Sequence, residues 1–237
     1  MEDQYLASTR KLVDSDAEQQ VLEEVLEASK PRPGVRGLHY LLLTPFRYPP
    51  FTHGSRFRTR AEAGVWYGSR DQHSAFAEVA YYRLLFLEGT AATIDSLEVG
   101  LSAFRAAYDS PHGIDLTRPP FAAHRAAISS PTSYAESQPL GREMREAGVE
   151  VCWYDSAREK DGVNVALFTP RALASRKPSP PESWRCVATR GAVEIVKKDV
   201  FRRVVHRFER AQFEVEGRLP APALGGAVGP PEPEQQT

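Results

Sequence analysis

The apolar residues of this chain fall into short runs of two different spacings, separated by stretches rich in Pro, Gly and Arg. Residues 14–30 have helical spacing. Ser15 and Glu18 form an S-x-x-E capping box, Val21, Leu22, Val25 and Leu26 share one face, and Pro31 and Pro33 end the element. A helix of this kind covers a core or docks a partner, and the core is the preferred reading. LHYLLL (38–43) is a continuous apolar run and predicts a buried strand. The segment 44–64 is too long for a plain connection, and ordered loops of such length are usually functional or lid-like. VWYG (65–68) predicts a short strand. Residues 71–87 predict a helix with Ala75, Phe76, Val79, Ala80 and Leu84 facing inward.

Further along, a strand is expected within 90–101 and helices over 119–128 and 139–148, the last ending at Gly148. VEVCWY (149–154), DSAREKDG (155–162) and VNVALF (163–168) read as strand, turn and strand. Thr169 then caps a short helix with Pro170 in first position. Residues 183–198 predict a hairpin turning at Gly191. Between 199 and 215 both spacings fit: Val200, Phe201, Val204, Val205 and Phe208 suit a helix, while FEVEG suits a strand. Pro, Gly and Ala dominate 216–237, which is expected to be disordered. Strands and helices intermix without regular alternation, which predicts an α+β fold.

Composition narrows the picture. The 237 residues, 41 % apolar and 26 % charged, allow a sizeable core. A net charge of −1 and a pI of about 6.6 give no footprint for direct nucleic-acid binding. Cys152 and Cys186 sit in apolar runs and read as buried thiols, which suits a reducing cytoplasm. The opening MEDQYLAST lacks the pattern of a signal peptide, and no apolar run reaches the ~18 residues that span a bilayer. A cytoplasmic protein with no membrane partner is therefore expected. The histidines at 39, 53, 73, 112, 124 and 206 lack metal-ligand spacing, so no metal is expected. The nucleotide-binding GxGxxG and P-loop motifs and the hydrolase motifs HExxH and GxSxG are all missing.

Three segments carry candidate chemistry. Arg56, Arg58, Arg60 and Arg70 cluster, either as a solvated surface or as a pocket for a phosphate-bearing ligand. Glu78 lies among Ala75, Phe76, Val79 and Ala80, where a carboxylate needs a partner. Tyr67 is a core or site residue. Ser156 is a turn residue that bonds its own backbone, or a site residue.

Taken in order, G-S-R-F at Arg56, V-W-Y-G at Tyr67, S-A-F-A-E at Glu78 and Y-D-S-A-R at Ser156 resemble the RES domain. The last motif runs on into D-G-V-N-V-A-L-F-T-P, which resembles the family's closing strand. The resemblance covers about 36–175 and extends to the hairpin ending at 198. Where the family commonly has an Arg-Trp-Asn-Pro-like sequence, this chain reads RFRTR. The functional arginine is therefore Arg56 or Arg58, with Arg56 preferred because it follows the Gly-Ser pair.

The resemblance implies an ADP-ribosyltransferase-like α+β fold, a split β-sheet core with flanking helices, whose cleft holds NAD. On that basis 1–35 is a helical extension, 36–215 an NAD-binding catalytic domain and 216–237 a tail. NAD is then substrate rather than cofactor, cut between nicotinamide and ribose, with water or inorganic phosphate as acceptor. The expected partners are a helix-turn-helix antitoxin that restrains a toxin, and a second copy of the chain. Glu78 would stabilise charge on the ribose, Arg56 grip the pyrophosphate, and Tyr67 stack on nicotinamide. Ser156 would bond ribose or carboxamide, and Arg58 and Arg158 would contact phosphates or orient Glu78. The alternatives are transfer of ADP-ribose to a macromolecule and a non-catalytic module that binds a nucleotide or partner protein.

Overall fold

Asp71 starts the helix around which the fold is arranged. Its carboxylate accepts from the Ser74 backbone N–H at 2.8 Å and from the Ser74 hydroxyl at 2.7 Å, satisfying the first turn of α2 (Gln72–Glu88). In this computed structural model residues 37–47, 54–199, 203–222 and 226–227 are described, together with Glu18 and Val21. Apart from those two, the helix expected over 14–30 lies outside the described residues, as do 48–53 of the long loop and 228–237 of the tail.

Two four-stranded sheets flank α2. One has the order β1 (Trp66–Ser69), β5 (Val163–Leu167), β4 (Val151–Asp155), β3 (Gly113–Asp115), with only β3 and β4 parallel. The other is antiparallel, in the order β2 (Leu97–Ala103), β6 (Glu182–Ala188), β7 (Ala192–Lys197), β8 (Val205–Glu209). The chain leaves the first sheet after β1, crosses through α2 into the second, returns for β3, β4 and β5, and goes back to the second for β6, β7 and β8. This is the α+β, split-sheet core that the sequence predicts.

Alternation along the strands decides what each face buries. In β1, β5 and β4, Trp66, Val165, Leu167 and Val151 face one cluster with Phe46 and Ala172. Tyr67, Ala166, Cys152 and Tyr154 face the other, with Phe57, Leu116 and Met144. The largest cluster lies between α2 and the second sheet. There Phe76, Ala77, Ala80, Tyr81, Leu84 and Leu87 pack on Trp184, Cys186, Val193, Ile195 and Phe208.

Four expectations change. LHYLLL is not a strand: α1 (Tyr40–Arg47) forms there, with Leu42 and Phe46 buried at i,i+4 spacing. His39 opens it, its carbonyl accepting from Leu42 and Leu43 at 2.9 and 3.1 Å. On α2, Ala75 is not on the buried face and Val79 is only half-buried, because the helix is apolar on two sides. Within the segment expected to be disordered, Leu219 and Ala221 are fully buried, and the Tyr81 hydroxyl donates to the Pro220 carbonyl. In the ambiguous stretch 199–215 the outcome reverses the expectation: Val205 and Phe208, which suited a helix, lie in β8, because Phe208 is opposite Val193 in register and both are buried, while FEVEG forms a turn rather than a strand.

Leu84→Ala is expected to destabilise the protein by about 2–5 kcal/mol, since Leu84 is fully enclosed between α2 and the second sheet. Chemical denaturation checks this. A loss below 1 kcal/mol would contradict the packing described.

Candidate active site

The face of α2 opposite the core carries Ala75, Glu78, Val79, Tyr82 and Arg83, at i, i+3, i+4, i+7 and i+8, and it lines a cleft of about 540 Å³. The first sheet supplies the facing wall. Its cross-strand row Ser69–Asn164–Tyr154 points into the cleft beside Tyr67. Ser55, Arg56, Tyr134 and Arg158 complete the lining from loops.

Glu78 is half-buried, and its hydrogen bonds converge on one oxygen. Ser156 Oγ donates to Glu78 Oε1 at 2.9 Å, and Asn164 Nδ2 donates to the same oxygen at 2.7 Å. Oε2 makes no hydrogen bond among the described residues. Ser156 is not part of the lining. Its hydroxyl accepts from the backbone N–H groups of Arg158 and Glu159, both at 3.1 Å, while giving its proton to Glu78. One serine thus serves both of the roles weighed for it, closing the turn and holding the carboxylate.

Tyr67 is held by its hydroxyl, which takes the Phe57 backbone N–H at 3.1 Å and pairs with Ser55 Oγ at 2.9 Å. Burial pushes this hydroxyl up to about 12, against the smaller downward pull of Ser55 and Phe57. The bonds pin a tight turn in which Ser55 N donates to Arg58 O at 2.8 Å and Arg58 N to Ser55 O at 3.2 Å. Gly54, at φ +73°, enters that turn, and a Cβ there would meet Arg58 O at 2.5 Å. Gly141 lets its helix, α4 (Ser137–Glu146, following the single turn α3, Arg125–Ile128), approach Phe57 O, which a Cβ would meet at 2.2 Å.

The turn sends its two arginines to different places. Arg56 is 8 % exposed and lines the cleft. Its Nη1 donates to the carbonyls of Ile128 and Ser130 at 3.0 and 3.1 Å, its Nη2 to Ser130 at 3.0 Å, and it lies over the Tyr134 ring at 5.1 Å. Arg58 is buried outside the cleft, and burial lowers its pKa below the usual guanidinium value. Arg158, 6 % exposed, does line the cleft. It sits over the Tyr81 ring at 3.5 Å and donates to Pro131 O at 3.1 Å, while its Nη1 is buried without a partner. Arg56 and Arg158 therefore grip one loop, 128–131, by its carbonyls, and neither forms an ion pair among the described residues.

Asn164, Tyr134 and Tyr82 line the cleft but were not among the candidate residues. Asn164 had a signal, being the one polar residue in VNVAL. Tyr82 had one as well, four residues after Glu78 on the same helix face, whereas Tyr134 had none, because its place follows from loop closure. No group of three or more His, Cys, Asp or Glu fit to hold a metal occurs among the described residues. Nor is any described helix long and apolar enough to cross a membrane.

Residues 32–188, more than half of the chain, match the model of the RES domain. The chain belongs to the RES domain family. A search of curated proteins finds no match. The match spans every cleft-lining residue of this RES domain, from Ser55 to Asn164.

Tyr67→Phe is expected to cost about 1–3 kcal/mol, because it strands the Phe57 N–H and frees the 55–58 turn. The pH dependence has a defined sign. A tyrosine whose folded pKa lies near 12, above its ordinary value of about 10, contributes stability that is whole below pH 10 and lost as pH rises toward 12. Denaturation between pH 9 and 12 should show a shallower loss in Tyr67→Phe than in wild type; parallel curves would contradict this.

Proposed function

We propose that this RES domain cleaves the bond between nicotinamide and ribose in NAD, with water or inorganic phosphate as acceptor. The observation that carries the reading is the half-buried Glu78 carboxylate, with one oxygen saturated by Ser156 and Asn164, in the same cleft as two buried arginines that lack carboxylate partners. Buried charge is costly unless it is paired. Two cations lining one cleft with only carbonyl partners suit an anionic ligand, and a dinucleotide brings a pyrophosphate.

The chemistry needs little else. Nicotinamide departs with the electrons of the C–N bond and becomes neutral, so no strong acid is needed for its departure. Positive charge passes to the ribose, as in glycoside hydrolysis. The free oxygen of Glu78 stabilises that charge and accepts from a ribose hydroxyl. Water or phosphate then bonds to the sugar carbon, and water releases a proton. The half-exposed aromatic rings of the lining, Tyr67 and Tyr82, offer faces for a heterocycle. Ser156 acts through Glu78 rather than on the substrate, since its only proton is committed there. Arg158 joins Arg56 as the anion grip, and Arg58 drops out of it. An NAD-destroying enzyme in a cell requires restraint, which supports a toxin role with a helix-turn-helix antitoxin.

Purified protein incubated with NAD, with and without phosphate, should release nicotinamide, read by chromatography. Glu78→Gln should reduce the rate by about 10²–10³. Undiminished release by that variant would contradict the assignment of Glu78. Arg56→Ala and Arg158→Ala should each raise KM for NAD about 10- to 100-fold, the worth of a hydrogen bond to a charged group. Arg58→Ala should leave KM near wild type, and the reverse order would move the anion grip to Arg58.

A further inference from the structure

Asn164 is the second residue of β5, 2 % exposed, in a strand that is otherwise apolar. A buried amide must satisfy both ends. Here Oδ1 accepts from Ser69 Oγ at 2.6 Å, and Nδ2 donates to Glu78 Oε1 at 2.7 Å. The two ends are not interchangeable. Turned over, the amide would set Oδ1 against the carboxylate, two acceptors with no proton between them. The Glu78 carboxylate, which can only accept, therefore sets the direction of the amide, and the Ser69 hydroxyl, one strand away in direct register, holds the other end by donating to Oδ1.

We propose that Asn164, held in place by Ser69, is a positioning residue that selects which oxygen of Glu78 meets the substrate. This rests on the reading of the cleft as an NAD-cleaving site. The Asn164 and Ser156 donors approach from different elements, β5 and the turn after β4, and meet on Oε1. With that oxygen saturated, Oε2 is the one left for the sugar. Ser156 sits in a turn, whereas Asn164 is paired on both sides, with Ser69 of β1 and Tyr154 of β4. The sheet thus fixes the direction of the carboxylate, and the turn completes it. A group held on a strand keeps its geometry better than one held on a loop.

Kinetics on the full chain test this. Asn164→Ala should lower kcat about 10- to 100-fold, the effect of a misplaced reacting group, with KM for NAD changed less than about threefold. Added to Glu78→Gln, the same substitution should cost almost nothing more, because residues that act as a unit are not additive. Ser69→Ala should lower kcat in the same direction by a smaller factor. It lies half-buried on an edge strand and supplies the test even if Asn164→Ala does not fold.

The proposal is overturned if Asn164→Ala keeps kcat within about twofold of wild type, if its effect falls on KM alone, or if it lowers the residual rate of Glu78→Gln by the full factor. For Ser69→Ala, an unchanged kcat overturns it likewise. Wild-type release of nicotinamide by Glu78→Gln is a different failure. It removes Glu78 from the chemistry and defeats the cleavage reading itself, whatever Asn164 does.

Discussion

A carboxylate placed between a helix and a sheet has to be hydrogen-bonded, and the arrangement of this RES domain follows from meeting that need at Glu78. Helix α2 is apolar on the side that packs against the second sheet, and Glu78 lies on the other side. The first sheet must then bring polar groups to a face that is elsewhere apolar. It does so in the row Ser69–Asn164–Tyr154, and the turn after β4 adds Ser156. Helix α2 thus turns its core face to one sheet and its carboxylate to the other.

The same logic extends to the cations. Arg56 and Arg158 come from segments about a hundred residues apart, yet both donate to carbonyls of 128–131. Their charge is held in place without being neutralised. Arg56 lies over Tyr134 and Arg158 over Tyr81, so aromatic faces share the work of carrying buried guanidinium groups. Tyr67 fixes the 55–58 turn through its hydroxyl and offers its ring to the cleft. Glu78 and Arg83 on α2, Arg56 and Arg158 on the loops, and the tyrosine rings of the lining are the groups on which the proposed NAD reading rests.

Much of this was legible in the sequence, and the limits have physical causes. The strands 149–154 and 163–168, the hairpin at Gly191 and the cap at Thr169 are local patterns, and local patterns survive folding. The candidates Arg56, Tyr67, Glu78, Ser156 and Arg158 do come together around one cleft. LHYLLL misled because a short apolar run has no period of its own, and burial at Leu42 and Phe46 favours a helix. The choice between Arg56 and Arg58 was open because a four-residue turn sends neighbouring side chains to opposite sides, and only the turn's partners decide which enters the cleft. Asn164 was marked as the one polar residue in an apolar strand, but the pattern alone does not name its partner. Tyr134 depends on a loop anchored by residues far away in sequence.

The most direct test separates holding the substrate from changing it. Calorimetric titration of NAD into folded Glu78→Gln should show saturable binding with an affinity close to that of wild type. Such binding is predicted because the arginines and aromatic rings are intact and the lost charge acts mainly on the departing ribose. No measurable binding at millimolar NAD would contradict the assignment of this cleft as the NAD site.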